Sequence, residues 1–313
     1  MERLKIADLK PSGTYAAVLM IRDVTEKKDK NGRAYLVLKM TDGDTECDMF
    51  YWDAGADGFP LRAGTVVDAS VAVSLYNDKP SYSVRSCKPT DEVPVGEFIP
   101  SAPVDPAVLY DECVAAARAI PEEGLCTLTV TIYEEYREKL LWWGAAKSVH
   151  HSRTGELLWH VTRMMRMARA VAAEYPAADE GLLVAGVLLH DIGKLDELAT
   201  SPLGITDYTA LGQLCGHAYL GADIVRRFGE RLGTPAEDIR MLVHIILSHH
   251  GKPEFGAAAK PATIEAHLVH CLDLMDSHVY IFERELEKLA PGETGDSLYS
   301  LDGVKVYKPK ALL

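Results

Sequence analysis

Histidine and aspartate residues recur through the second half of this 313-residue chain in an arrangement that could hold metal ions. Imidazole nitrogens together with carboxylate oxygens suit borderline divalent metals such as manganese, iron or zinc. The six cysteines form no C-x-x-C pair, so a site with mixed nitrogen and oxygen ligands is the natural interpretation. The candidate ligands, in chain order, are His160, His190, Asp191, His217, His249, His250 and Asp273.

The spacing of these residues places several of them at the ends of helices. His190 and Asp191 are adjacent, so on a helix they would point about 100° apart, and both reach one metal only where the helix ends. Gly193 supplies such an end, and the later histidine pair is likewise followed by Gly251. His217 would open a helix after Gly216, and His160 and Asp273 lie within predicted helices that could face each other across the interior of a bundle.

The elements that must position these residues form two kinds of structure. Short alternating apolar runs in the first 90 residues predict five β-strands, and Asn31-Gly32 is a strong hairpin signal between the first two. Five strands in this length favour a small barrel of the oligonucleotide-binding (OB) type, with an SH3-like barrel as the alternative. The predicted strands are 15–24, 34–40, 45–51, 65–75 and 81–87, with a loop over 52–61 before the fourth.

The second half of the chain is predicted to be all helix. Prolines crowd residues 89–106, which indicates a linker, and apolar residues then recur at helical spacing. The expected fold is a multidomain α+β protein with an OB-type barrel followed by an all-α domain. Its predicted divisions are 1–90 barrel, 91–106 linker, 107–290 helical domain and 291–313 tail, with one short strand at 304–307. The predicted helices are 107–119, 127–143, 156–174, 179–190, 216–228, 235–248 and 261–289.

The charge of the chain is uneven. The net charge of −13 argues against a protein that coats nucleic acid electrostatically. Residues 1–95 carry 13 basic and 15 acidic side chains, whereas the remainder carries 20 and 31, so the acidity belongs to the helical half. The longest apolar stretch, 181–189, is too short to span a bilayer. The first residues show no apolar segment of signal-peptide length, so we expect a cytoplasmic protein without a membrane partner.

The predicted barrel offers groups that could contact unpaired nucleic acid. Aromatic rings could stack on bases in a mode that tolerates any sequence, although aromatic residues of a small barrel are more often core. Basic residues frame the first hairpin, where they could equally be an ordinary solvated turn. The candidate contacts are Tyr35, Phe50, Trp52 and Tyr82 for stacking, and Lys27, Lys28, Lys30 and Arg33 for charge.

The ordered histidine and aspartate set resembles the HD superfamily of metal-dependent phosphohydrolases. Within that superfamily it is most similar to the YhaM-type 3′-to-5′ exoribonucleases, which join an OB domain to an HD domain. The resemblance departs at Glu156 and Trp159, since the family commonly has Gly-Gly-Leu-Leu-Glu-His where this chain has GELLWH over 155–160. The Gly-Tyr-Pro signature of cyclic-dinucleotide phosphodiesterases is missing after His250. The matching segments are 150–160 (HHSRTGELLWH), 190–194 (HDIGK), 216–217 (GH), 248–251 (SHHG), 265–276 and 306–309 (VYKP).

The resemblance also implies roles for the candidate residues. His160, His190, Asp191 and Asp273 would bind one divalent metal, and His217 with His249 or His250 would complete a second. Asp191 would bridge the two. Lys194 could neutralise the phosphate in the transition state, or could simply be a lysine favoured near a helix C-terminus. Asp276, one turn after Asp273, could orient a histidine ligand.

The implied activity is that of a 3′-to-5′ exoribonuclease. It would hydrolyse single-stranded RNA, with single-stranded DNA as a further candidate, to nucleoside 5′-monophosphates by a metal-activated water. Two cations per site are expected, Mn²⁺ first and Fe²⁺, Mg²⁺ or Zn²⁺ as alternatives. The alternatives are an HD phosphohydrolase acting on a nucleotide or second messenger, with the barrel as a docking module, and a metal-free binding protein. A barrel rich in strand edges also suggests a homo-oligomer.

Overall fold

The computed structural model describes residues 4–52, 58–77, 79–99, 101–143, 154–201 and 206–310. Two parts of the sequence discussed above, 150–153 of the first histidine segment and 53–57 of the predicted loop, lie outside these residues. The chain forms two compact units, a barrel unit made mainly of the residues up to Ser101 and a helical unit made mainly of the residues from Ala102 onward.

The barrel unit is a closed barrel of five strands, which confirms the predicted OB-type fold. Antiparallel pairing of β1 with both β2 and β4 closes the barrel, and β3 pairs in parallel with β5. Alternate side chains of each strand point inward, and Leu19, Leu36, Leu38 and Met49 are completely buried there. The strands are β1 (Thr14–Lys28), β2 (Ala34–Thr41), β3 (Glu46–Tyr51), β4 (Val66–Tyr76) and β5 (Lys79–Pro89).

Part of the predicted linker packs against the barrel. A short 3-10 turn at Val95–Phe98 buries Phe98 completely against Met20 and Val66. The proline-rich composition did not reveal this single aromatic side chain, which docks the segment.

The helical unit contains nine helices among the described residues. They are α1 (Pro106–Arg118), α2 (Glu123–Glu135), α3 (Arg137–Trp142), α4 (Glu156–Glu174), α5 (Glu180–Leu189), α6 (Lys194–Glu197), α7 (Ala210–Leu232), α8 (Ala236–Ser248) and α9 (Ile264–Lys288).

Two helix boundaries differ from the prediction for identifiable reasons. The expected helix over 127–143 is two helices, because the chain leaves helical geometry at Tyr136 between α2 and α3. The helix expected from residue 216 begins at Ala210, where the Thr209 hydroxyl accepts a hydrogen bond from the Gly212 amide. Gly216 is a kink inside α7 rather than its start, with φ of 71°.

Helix α5 is the centre of the helical unit. Every residue of 181–189 is buried, so the longest apolar stretch of the sequence is a core helix enclosed by neighbouring helices. The helix ends directly at His190 and Asp191, whose side chains are 0% and 3% exposed. Among the described helices none combines the length and apolar character of a membrane span.

Four short strands accompany the helices, so the all-α expectation holds only for the main body of the unit. The predicted strand at 304–307 is present as β9 (Val304–Tyr307), and it pairs with the unpredicted β8 (Thr294–Leu298). Leu301 and Val306 of this hairpin pack on Leu289, which anchors the tail to the end of α9. The other two strands are β6 (Leu198–Thr200) and β7 (Thr206–Tyr208).

Replacing Tyr133 by phenylalanine should destabilise the helical unit. The completely buried Tyr133 hydroxyl donates to the Leu188 carbonyl at 2.9 Å, so its loss leaves a buried acceptor without this donor. We expect the free energy of unfolding in urea to fall by about 1–3 kcal/mol. Tyr299→Phe is the matched control, since Tyr299 is 99% exposed. Equal unfolding curves for both variants would contradict the assignment.

Candidate metal centre

Six of the predicted ligands form two compact clusters in the helical unit. His160, His190 and Asp273 make the first, and His217, His249 and His250 make the second. Within each cluster one ligand atom per residue lies within 4.8 Å of the others. The sequence left open whether His249 or His250 is the ligand, and both contribute a nitrogen atom to the second cluster.

Asp191 lies between the two clusters. Its Oδ2 is 3.3 Å from His190 Nε2 and 3.9 Å from His160 Nε2. Its Oδ1 is 3.6 Å from His217 Nε2 and 3.9 Å from His249 Nε2. Each carboxylate oxygen therefore faces a different cluster, which is the placement a bridging ligand requires.

Backbone carbonyls orient two of the histidines. His190 Nδ1 lies 2.8 Å from the Val187 carbonyl, and His249 Nδ1 lies 2.6 Å from the Ile246 carbonyl. Because a carbonyl oxygen only accepts, each Nδ1 carries the proton and donates. The lone pair is then on Nε2, the atom that faces the cluster.

His160 is oriented by a carboxylate instead. Its Nδ1 donates to Asp276 Oδ2 at 2.7 Å, which places Asp276 in the orienting role expected from the sequence. Arg163 Nε lies 2.7 Å from the other oxygen of Asp276 and holds that carboxylate in place. Burial opposes protonation of His160, but its hydrogen bonds to Asp273 and Asp276 outweigh burial and raise the His160 pKa to about 9.

Glycines permit the turns that bring the ligands together. A Cβ at Gly193 would strike the His217 carbonyl oxygen, so the turn after Asp191 packs on α7 only with glycine there. Gly251 follows the two histidines after α8 and has φ of 75°, a conformation that favours glycine. A Cβ at this position would collide with the ring of His270. His270 Nδ1 in turn donates to the His249 carbonyl at 2.7 Å.

His217 has a carboxylate partner that the sequence did not reveal. Both oxygens of Glu197 lie 3.1 Å from His217 Nδ1, which donates to them. Glu197 follows the HDIGK segment by three residues, but nothing in the local pattern indicated a pairing with a histidine 20 positions away. The kink at Gly216 creates this pairing.

The buried atoms of the centre fit divalent cations. Within the described residues, His190 Nε2, Asp191 Oδ1 and His249 Nε2 are buried and have no hydrogen-bond partner. Such atoms are costly to bury unless another group, here a cation, satisfies them. Burial lowers the pKa of His249 to about 3, so its imidazole is neutral and free to bind metal at neutral pH.

The charges of the centre are also arranged for cations. Burial would raise the pKa of Asp191, but Lys194 and His190 outweigh it and hold that pKa well below its usual range. Lys194 Nζ lies 2.7 Å from Asp191 Oδ2. Lys194 is the first residue of the four-residue helix α6, and this ion pair holds its ammonium group beside the Asp191 carboxylate.

Three of the predicted barrel rings form one surface. The ring centroids of Tyr35 and Trp52 are 4.8 Å apart and those of Phe50 and Trp52 are 5.6 Å apart, both in stacked orientation. Trp52 is 48% exposed. Lys27 is the cross-strand partner of Tyr35, so a basic side chain belongs to the same face.

Tyr82 does not join this surface. It is paired with the buried Met49 and packs, partly buried, against the barrel core. The pairing between β3 and β5 decides this, and the sequence alone does not contain it. The other basic candidates, Lys28, Lys30 and Arg33, are exposed around the hairpin, where the Asp29 carboxylate accepts hydrogen bonds from the Asn31 and Arg33 amides.

Asp276→Asn should lower the pKa of His160 in the metal-free protein. A folded-state pKa of about 9 exceeds the ordinary value of 6.5, so the charged imidazole adds stability below pH 6.5 that is lost as the pH rises through 9. Asparagine at position 276 carries no negative charge, so part of the rise in the His160 pKa should be lost. The imidazole resonances in an NMR pH titration would report the change, with exposed His267 as the internal control. An unchanged His160 titration would contradict the role of Asp276.

Comparison with known proteins places the chain in a family. The HD domain family matches residues 157–278, which contain all seven candidate ligands, and an HD domain implies binding of divalent metal. The chain is 31% identical to the 3′-5′ exoribonuclease YhaM of Bacillus licheniformis, and the match covers 93% of each chain. It is 30% identical to YhaM of Bacillus subtilis, over 93% of each chain, and 30% identical to YhaM of Listeria innocua, over 97% of this chain and 98% of the relative. The protein therefore belongs to the YhaM family of 3′-5′ exoribonucleases.

Proposed function

We propose that this protein is a metal-dependent 3′-to-5′ exoribonuclease that hydrolyses single-stranded RNA to nucleoside 5′-monophosphates. The observation that carries the proposal is the position of Asp191, whose two oxygens face two separate clusters of metal-binding side chains. Relatives that match over more than nine-tenths of the chain are named for this activity. They give no support to the alternative of an enzyme acting on mononucleotides or second messengers.

The proposed cofactor is a pair of divalent cations. His160, His190 and Asp273 would hold one cation, His217, His249 and His250 the other, and Asp191 both. Five imidazoles and two carboxylates favour Mn²⁺, Fe²⁺ or Zn²⁺ over Mg²⁺, which prefers oxygen ligands, and Mn²⁺ is our first choice. When bound, the cations would polarise the scissile phosphate and activate a water for in-line attack.

The protein's own residues prepare this centre. The Val187 and Ile246 carbonyls hold protons on the Nδ1 atoms of His190 and His249, so these rings need no reorganisation to bind. Lys194 keeps Asp191 ionised through its 2.7 Å ion pair. The ammonium group has three donors, so those that do not face Asp191 are available to a phosphate oxygen of the substrate.

The stacked rings of the barrel are the proposed RNA-binding surface. Tyr35, Phe50 and Trp52 present ring faces to which unpaired bases can add, and this mode accepts any base. Lys27, Lys28, Lys30 and Arg33 add positive charge at the hairpin for the phosphate backbone. Single-stranded DNA shares the bases and the phosphates, so we propose it as a second, weaker substrate.

Two further proposals concern the setting of the enzyme. All six cysteines are free thiols, which suits the reducing cytoplasm where we place the protein. Self-association also stays a prediction. Closure of the barrel removes the open strand edges on which it was based, so an oligomer would have to form through other surfaces.

Ligand substitutions should abolish the activity. With a 5′-labelled RNA oligomer and Mn²⁺, the wild-type protein should give a ladder that shortens progressively from the 3′ end. His190→Ala and Asp191→Ala should retain less than about 1% of the rate, since each removes a cation ligand. His267→Ala, an exposed histidine outside both clusters, should match the wild type. An intact RNA at full metal occupancy, or hydrolysis of free nucleotides alone, would refute the proposal.

Removing the exposed ring should weaken RNA binding without impairing the chemistry. Stacking contributes about 1–3 kcal/mol per base, so Trp52→Ala should raise the Kd for an RNA oligomer by about 5- to 150-fold. Hydrolysis of a dinucleotide should proceed at the wild-type kcat. Tyr76→Ala is the control, because Tyr76 is 72% exposed on β4 and outside the ring surface. Equal affinities of the two variants would show that the rings do not bind RNA.

A further inference from the structure

We infer that Glu197 is the positioning residue for the second metal, acting through His217. This inference rests on the metal centre proposed above and adds a residue to it. Glu197 is not one of the seven candidate ligands, and its side chain lies on the Nδ1 side of His217, away from the cluster that His217 Nε2 faces.

Glu197 holds His217 at two points. Its Oε1 accepts a hydrogen bond from the His217 backbone amide at 3.0 Å, and both oxygens are within 3.1 Å of His217 Nδ1. The first contact fixes where the residue sits and the second fixes how its ring is turned. With the proton held on Nδ1, the lone pair is on Nε2, which lies 3.3 Å from His250 Nε2.

The backbone of α7 is bent to make this double contact. Gly216 has φ of 71° and ψ of 154° inside an otherwise helical run. In a regular helix the His217 amide would donate along the helix axis to the preceding turn. The kink instead turns the amide and the imidazole of His217 toward one carboxylate, and glycine is the residue that adopts this conformation without strain.

The position of Glu197 is itself fixed from both sides. Its amide donates to the Gly193 carbonyl at 2.9 Å, and its carbonyl accepts from the Thr209 amide at 2.9 Å. Gly212 packs so closely on the Glu197 backbone that a Cβ there would collide with it. Glu197 is only 8% exposed, so a charged carboxylate is kept in the interior, where it is costly unless it is paired.

The two clusters are built alike in this respect. Among the described residues, carboxylates outside the ligand set contact one histidine in each cluster: Asp276 contacts His160, and Glu197 contacts His217. His190 and His249 use backbone carbonyls instead. A carboxylate partner makes imidazole a stronger ligand, so Asp276 and Glu197 should each tune the affinity of a different cation.

Equilibrium binding of Mn²⁺ to the metal-free full-length protein tests the inference without reference to activity. Calorimetric titration should show two binding steps, and His217→Ala identifies the step that belongs to the second cluster. Glu197→Ala should weaken that step by about 10- to 100-fold and leave the other unchanged. Glu197→Gln should lie between, because an amide oxygen still accepts a hydrogen bond but carries no charge.

Two comparisons make the result specific. Asp276→Asn should weaken the other step, and Glu287→Gln, an exposed glutamate on α9, should alter neither. If Glu197→Gln folds as judged by circular dichroism and both steps match the wild type, the inference is overturned while the metal centre stands. If the wild-type protein binds no Mn²⁺, the metal centre itself fails. Should Glu197→Ala not fold, the Gln variant decides.

Discussion

Burial of the Asp191 carboxylate at the end of the central helix is the constraint on which the functional half of the molecule depends. An isolated charge in such a place is very costly, and it persists only where opposite charges surround it. Lys194 supplies one of these, and the histidines on both sides are placed to share cations with it. Because α5 is buried along 181–189, its packing fixes the point at which the helix ends, and Asp191 follows directly after that point.

The same constraint explains how an acidic protein can act on a polyanion. The helical unit contains most of the excess negative charge, and it also contains the clusters that would bind cations. Cations held there offset the protein's carboxylates and the substrate phosphate together. The barrel has little net charge, so the RNA contact proposed for it depends on stacking of its rings and on the basic hairpin rather than on a general attraction for nucleic acid.

Most of the fold was predictable because local rules apply to it. Alternation of apolar residues located all five barrel strands, and helical spacing located the long helices. The prediction missed three features: Phe98 docks a proline-rich segment on the barrel, the backbone leaves helical geometry at Tyr136 between α2 and α3, and β8 pairs with β9. Tyr82 was also predicted to stack on bases. It lies on β5, and the pairing of β5 with β3 turns its side chain toward the barrel core.

The sequence by itself determined which side chains are the candidate metal ligands, because chain order, residue type and adjacent glycines are local properties of the chain. It also indicated Asp276, one helical turn from Asp273. The division of these residues into two sets joined by Asp191 was already implied by the resemblance. Only the tertiary structure decided which oxygen of Asp191 faces which cluster, and that Glu197 is hydrogen-bonded to His217. These contacts depend on how α5, α7, α8 and α9 pack together. They also depend on the kink at Gly216, where the sequence pattern predicted the start of a helix. Contacts between residues that are distant in the chain depend on how the helices pack around a common core, and no local sequence pattern predicts them.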